Sequence, residues 1–317
     1  MSDANSGQCL VILGTGGTIA GRAEQRNDNV GYAAGQVAVA DLAAGLPALA
    51  GAAVELEQVA QIDSKDMDGQ VWQALALRCA HHLEDPEVRG VVITHGTDTL
   101  EETAWFLHEV LDTRAKPVVL TCAMRPATAL TPDGPQNLLD AVAVAVTPGA
   151  RGVLAVAAGE IHGARQVQKV HPYRVNAFNS GEAGPLGWVE EGAVRLVQDW
   201  PLALGVPALN AIENVVNAAA WPRVEVVISH AGASGTMVDA LVRDGVQGLV
   251  VACTGNGTIH HALEAALLRA QEAGVRVVRS TRCPEGQVLP KPGDALPDSQ
   301  GLSPLKARIS LMLELLH

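Results

Sequence analysis

Two stretches of this chain carry hydroxyl groups on backbones almost bare of side chains. In "VILGTGGTIAGR" (11–22) an apolar run ends in glycines and threonines, with Thr15 and Thr18 just beyond it. In "ITHGTDTLEETA" (93–104) another apolar run ends at a glycine, followed by Thr97 and Asp98. A threonine hydroxyl is a weak nucleophile until a neighbouring group takes its proton, and adjacent glycines let a substrate approach closely. Two phosphate-binding readings of the first stretch fail on the residues that do the chemistry. A dinucleotide fingerprint needs Gly or Ala where Ile19 stands, and a P-loop needs Lys and Ser/Thr where Arg22 and Ala23 follow. Taken alone, the first loop is equally a tight turn with incidental threonines. The second stretch shifts that balance, because Thr97 and Asp98 stand at a strand end as well. Glu101 and Glu102 read as acidic residues of a first helical turn.

Elements must bring these stretches together, and the pattern supplies them. Short β-rich runs at 9–14, 54–62, 90–96, 117–122 and 151–157 alternate with amphipathic helical patterns at about 69–84, 98–112 and 135–147. This alternation predicts βαβ units and a parallel sheet covered on both faces. In open α/β sheets the ligand sits in the crevice at the strand ends, where both threonine stretches fall. At roughly 160–222 the pattern changes: "QVQKVHPYRV" and "GWVEEGAVRLV" read as hairpin-like strands and "DWPLALGVPAL" as a linker. A second alternation has strands at 223–230, 248–253 and 275–280, helices at 236–243, 259–273 and 304–316, and a Pro/Gly-rich loop at 284–302. The expected fold class is α/β: a larger N-terminal, mainly parallel sheet flanked by helices (1–198), a linker (199–222), and a smaller C-terminal parallel α/β domain (223–317).

Composition narrows the partners. A formal charge of −12 argues against nucleic acid and anionic membrane, which both need a basic face. The five cysteines are an odd number without a CxxC pair, so reduced thiols are expected, with Cys122 and Cys253 as buried strand residues. "MSDANSGQ" has no basic or apolar leader character, and no stretch has the apolar length of a membrane span. These features predict a soluble, cytoplasmic protein. No metal-ligand spacing occurs among the ten histidines. The pairs His81–His82 and His260–His261 read as helix-surface residues, and His95 as a hydrogen-bonding residue of the second stretch. Ser234 in "HAGASGT" lacks the nucleophile-elbow pattern of serine hydrolases.

Taken together, "TGGTIAG" (15–21) and "THGTDTLEETA" (94–104) resemble the paired signature segments of the bacterial-type L-asparaginase/glutaminase family. "YAAGQVAVADL" (32–42), "QIDSKDMDGQVW" (61–72), "CAMRPATALTPDGPQNL" (122–138), "RGVLAVAAGEIHGARQVQK" (151–169), "GPLGW" (184–188), "VVACTGNGT" (250–258) and "VRVVRSTRCPEG" (275–286) match in order. The resemblance thus spans nearly the whole chain. It implies hydrolysis of the side-chain amide of L-asparagine, in some members also of L-glutamine, with release of ammonia and no metal or organic cofactor. It implies that Thr18 is the nucleophile, with Tyr32 beside it on a lid between Gly31 and Gly35. Thr97, Asp98 and Lys169 form the second matched group, Lys169 lying buried against Thr97, where lost hydration favours base duty. By the same match Asp98 holds the substrate α-ammonium, Ser64 holds the α-carboxylate, and Gly17 and Gly96 line the substrate. Backbone N–H groups of Thr97 and Ala123 are the implied oxyanion donors. Asn256 matches a residue that reaches a neighbouring subunit's site, and a homotetramer built from two intimate dimers follows.

Three features depart from the family pattern. Lys65 follows Ser64 where well-known members carry Gln, and can repel the α-ammonium, pair with Asp98 or Asp66, or point away. The 284–302 loop has no unambiguous match for the glutamate that neighbouring subunits supply; Asp294 is the candidate. The cysteines that form a disulfide in some secreted members have no counterpart, since Asp85 and Thr113–Arg114 fall in those regions. Besides an L-asparagine amidohydrolase, an amidase for a related substrate and an amino-acid sensing protein stay open, although sensing alone needs only Ser64 and Asp98.

Overall fold

A computed structural model of the chain describes residues 9–49, 52–201 and 211–316. It forms two compact units, Met1–Ile212 and Glu213–His317. In the first, β1 (Cys9–Gly16) leads through a single 3-10 turn into a two-residue hairpin, β2 (Arg22–Ala23) with β3 (Tyr32–Ala33). Then come α1 (Val39–Ala44), β4 (Val54–Ile62), α2 (Gly69–Glu84), β5 (Val88–Thr94), α3 (Leu100–Val110), β6 (Pro117–Thr121), α4 (Gly134–Ala145) and β7 (Gly152–Ala157). The unit closes with β8 (Glu160–Gly163), the short antiparallel pair β9 (Gln168–Lys169) and β10 (Phe178–Asn179), and the hairpin β11 (Gly187–Glu190) with β12 (Ala193–Leu196).

The large sheet runs β12-β11-β8-β7-β6-β5-β1-β4. Its five strands β4, β1, β5, β6 and β7 are parallel, and β8, β11 and β12 add an antiparallel edge. Leu10 to Leu13, Val91 to Ile93 and Val118 to Leu120 are buried throughout, as continuous apolar strands between two helical layers must be. Val39 of α1 and Leu138, Ala141 and Val144 of α4 join Ile12, Val92 and Leu154 in one core cluster. Where the chain turns, local chemistry is explicit. Asp68 caps α2 by accepting the N–H groups of Gln70 and Val71. The sequence pattern anticipates this mostly parallel sheet and the β11–β12 hairpin, but not α1, β8 or the β2–β3 pair; of the strand-like run at 166–175 only Gln168–Lys169 is strand.

α5 (Ala211–Val216) forms inside the stretch read as a linker, and residues 202–210 of that stretch lie outside the described residues. The second unit contains β13 (Val224–Ile228), α6 (Thr236–Arg243), β14 (Gly248–Cys253), α7 (His261–Glu272), β15 (Arg276–Thr281) and α8 (Pro304–Glu314). Its sheet is parallel, in the order β13-β14-β15, as expected. Among the described residues, no helix is long and apolar enough to cross a membrane. All five cysteines are free, with Cys79, Cys122 and Cys253 buried. One expectation is corrected: His82 is not a helix-surface residue but is 3% exposed, its Nε2 3.2 Å from Glu57. His260 likewise serves as the cap of α7, its Nδ1 accepting the Ala262 N–H.

Candidate active site

Four neighbouring parallel strands end together, and the loop after each carries a residue singled out by the sequence. Ser64 follows β4, Gly17 and Thr18 follow β1, Gly96 to Asp98 follow β5, and Ala123 follows β6. Sheet order alone therefore collects residues spread over more than a hundred positions of sequence.

Glycine makes the approach possible at two of these positions. Gly17 has φ 79°, and a Cβ placed on it would lie 2.2 Å from the Gly96 Cα. A Cβ on Gly96 would lie 2.3 Å from the Ser64 Oγ. The three loops are thus in van der Waals contact, which any side chain at either glycine would break. Thr18 and Thr97 each follow one of the two touching glycines.

Each threonine has its own polar partner. The Thr18 Oγ1 lies 2.5 Å from the Tyr32 hydroxyl. Burial pushes the Tyr32 phenol up from its ordinary value, against the opposing hydrogen bond from Thr18, so the ring keeps its proton at neutral pH. The backbone pairing of Ala23 with Tyr32 in the β2–β3 hairpin sets that ring over the loop. On the other side, the Lys169 Nζ donates to the Thr97 Oγ1 at 2.7 Å and to the Asp98 Oδ1 at 2.6 Å. The Lys169 side chain is 17% exposed, whereas that of Asp98 is 53% exposed. One oxygen of Asp98 is therefore engaged and the carboxylate still faces solvent. The Ser64 Oγ accepts the Asp98 N–H at 3.2 Å, which leaves its own hydrogen to donate. Thr99 Oγ1 donates to the Ser64 carbonyl at 2.8 Å and ties the two loops together.

The amides of Thr97 and Ala123 make no hydrogen bond among the described residues, although both residues are buried. Two unpaired N–H groups at adjacent strand ends can receive developing negative charge on an oxygen. The loop that holds Ala123 is fixed from α4. Asp133 accepts the N–H groups of Met124 and Arg125, both at 2.9 Å, and Asn137 donates to the Cys122 carbonyl at 2.9 Å. Sequence reading missed Asp133 and Asn137 in this role. Their signal lies in "PDGPQN", where polar residues with no surface reason flank a helix start. Glu101, which reads from sequence as an ordinary first-turn acid, instead accepts the Lys169 backbone N–H on its carboxylate at 2.8 Å.

His95 sits within the second loop as a buried, neutral ring. Burial pushes its pKa down to about 4, and its Nδ1 bonds the Gly96 carbonyl at 2.7 Å. Lys65 pairs with Asp66 at 2.7 Å and with Asp63 at 3.2 Å, and its side chain is 60% exposed. Of the three arrangements open to it from sequence, pairing with Asp66 is realised, with Asp63 as an added partner.

The remaining two residues lie in the second unit. The Asn256 amide is committed to the backbone of Leu289, accepting its N–H at 2.7 Å and donating to its carbonyl at 3.2 Å. The Asp294 carboxylate accepts the Lys291 N–H and pairs with the buried Arg279 at 2.7 Å. Both residues hold the loop after β15 in shape. Among the described residues, Glu55, Glu57 and His82 bring three possible metal-ligand atoms within 4.8 Å of one another. The Arg78 Nε lies 2.6 Å from Glu57 there, so a cation of the chain itself already occupies that carboxylate.

Comparison with known proteins places the chain. Residues 9–202 match the family model described as asparaginase, N-terminal, and residues 223–317 match the glutaminase/asparaginase C-terminal domain. The chain is 37% identical to L-asparaginase 2 of Escherichia coli, over 96% of this chain and 88% of that protein. It is 36% identical to a glutaminase-asparaginase of Pseudomonas fluorescens, over 96% and 86%. Among solved structures it resembles a probable cytoplasmic L-asparaginase from Campylobacter jejuni. That match has TM-score 0.87 and 38% identity, covering 97% of this chain and 95% of the other.

Proposed function

We propose, from the premise that this chain belongs to the asparaginase family, that it hydrolyses the side-chain amide of L-asparagine to L-aspartate and ammonia. The observation that carries the residue assignment is the meeting of two separately partnered threonines across the Gly17–Gly96 contact. Thr18 attacks the amide carbon. Its proton passes through the Tyr32 hydroxyl, which is held protonated by burial and can accept one proton while releasing another, and ends on the departing nitrogen. The C–N bond breaks, ammonia leaves, and an ester to the Thr18 Oγ1 remains. Water then cleaves the ester, giving its hydroxyl to the acyl group and its proton back to Thr18. Thr97, held by Lys169, orients that water. The free N–H groups of Thr97 and Ala123 receive the oxyanion in both steps, and one such donor is worth about 3–4 kcal/mol of barrier.

Substrate recognition uses the polar rim. The Ser64 hydroxyl donates to the α-carboxylate, and the unengaged oxygen of Asp98 accepts from the α-ammonium. Gly17 and Gly96 line the floor. Lys65 stays with its two aspartates and outside the contact set.

The working form in this reading is a cytoplasmic homotetramer of two intimate dimers, with the 254–258 turn and the loop after β15 completing a neighbour's site. Its support is the matched C-terminal family domain, while the five free cysteines agree with a reducing compartment. Asn256 and Asp294 act there through the loop they brace. The test is ammonia and aspartate formation from L-asparagine beside ammonia and glutamate formation from L-glutamine. Efficient release from asparagine is the expected result; no release from either by a folded protein overturns the reading.

A further inference from the structure

Away from the strand-end site, α4 forms one wall of a cavity of about 850 Å³. The Ala158–Gly159 turn, the β11–β12 turn and Ala48–Leu49 form the rest. Its lining is mostly apolar, with Leu49, Leu139, Val142, Val175 and Val189 among the walls. Among the described residues, the charged lining groups are all carboxylates: Asp133, Asp140, Glu190 and Glu191. Two of the four are already satisfied. Asp133 holds the Met124 and Arg125 amides, and Glu190 is paired with Arg195.

Asp140 is different. It is 3% exposed, and its one hydrogen bond among the described residues comes from the Gln136 amide, at 2.8 Å to Oδ1. A buried carboxylate with no cation is costly, and chains normally avoid it or give it a counter-charge. Gln136 is itself exposed, lies one helical turn away, and offers only a neutral donor. A cavity that combines a buried, unneutralised anion with aliphatic walls fits a ligand with a cationic head and a short apolar tail.

We propose that this cavity is a binding site for a small primary alkylammonium ion, its head on Asp140 and its tail against Leu49, Leu139 and Val142. The head displaces the Gln136 amide from Asp140, so Gln136 is the placeholder of the empty site. Burial pushes the Asp140 carboxyl up from its ordinary value, and a bound cation would relieve that penalty. The site is separate from the strand ends but shares α4 with them, since Asp133 at its N-cap and Asn137 within it fix the Cys122–Arg125 segment.

The test is calorimetric titration of the full chain with n-butylammonium chloride, in the presence of saturating sodium L-aspartate to fill the amidohydrolase site. Expected is one saturable site per chain, unchanged by aspartate and absent with n-butanol. Asp140→Asn, which keeps the shape and the Gln136 bond, should weaken binding at least about tenfold. Gln136→Ala removes the competing donor and should tighten it severalfold. No saturable binding, competition by aspartate, saturable binding of n-butanol, or equal affinity in Asp140→Asn and wild type overturns the proposal. These outcomes are independent of ammonia release, so failure here and failure of the amidohydrolase reading are separable.

Discussion

At the scale of single residues, the account turns on which hydroxyl is partnered by what. Tyr32→Phe keeps the ring and removes the one group 2.5 Å from Thr18. Steady-state kinetics should show kcat falling by about 10²–10³ with KM changed far less, as expected for a lost proton relay. Lys65→Gln should do little. The ammonium is exposed and spent on Asp66 and Asp63, so kcat/KM for L-asparagine should stay within about threefold of wild type. A large change would mean that Lys65 meets the substrate. The residues alone point to a polar site at strand ends with Thr18, Thr97 and Asp98, because hydroxyls and a carboxylate on glycine-rich turns are open to a substrate. Tyr32 and Lys169 come only with the family resemblance, since a loop tyrosine and a strand lysine have ordinary structural explanations. The sequence could not show where Lys65 turns or that Glu101 holds the Lys169 backbone. Those depend on neighbours brought in by the fold, and a lysine or a first-turn glutamate looks alike in either setting.

At the scale of elements, the site is a consequence of strand order. β4, β1, β5 and β6 are adjacent and parallel, so their C-terminal loops meet whatever the intervening helices do. α4 then acts as a brace, through Asp133 on two amides and Asn137 on a carbonyl of the segment carrying Ala123. Asp133→Ala should therefore act on catalysis beyond its effect on stability. The expected result is a kcat lowered by about tenfold or more with KM nearly unchanged, because an oxyanion donor loses its fixed position. Measurement of both constants at a temperature where the variant is folded separates this from unfolding. The long strands and helices were readable from period and apolar runs. The β2–β3 hairpin was not, since two residues carry no period, nor was α1, a helix of only six residues; the run at 166–175 reads as strand, although only Gln168–Lys169 of it is one. His82 was misplaced because adjacent helical residues lie about 100° apart and can both face solvent or be split between solvent and core; only the packing of β4 against α2 turns His82 inward.

At the scale of the whole molecule, stability and activity are linked through the buried second loop. His95 is neutral in the folded chain, its pKa pushed down to about 4, against an ordinary value of 6.5. The unfolded chain takes up that proton first, so the stability His95 contributes is complete above about pH 6.5 and is lost as pH falls towards 4. The loss is on the order of 3 kcal/mol over that window. Urea unfolding at neutral pH and near pH 4 should show a steeper fall for wild type than for His95→Gln; equal slopes would mean that the ring is not buried as described. The −12 charge was legible from composition, and it disfavours a polyanion as partner. The use of Asn256 and Asp294 as braces of a loop was not legible, because an amide and a carboxylate in a glycine-rich turn read equally as ligands. The most direct test of the central claim is ammonia release from L-asparagine by Thr18→Ala beside wild type, with matched unfolding curves. The account expects kcat to fall by about 10³ or more; turnover close to wild type would contradict it and move the nucleophile away from Thr18.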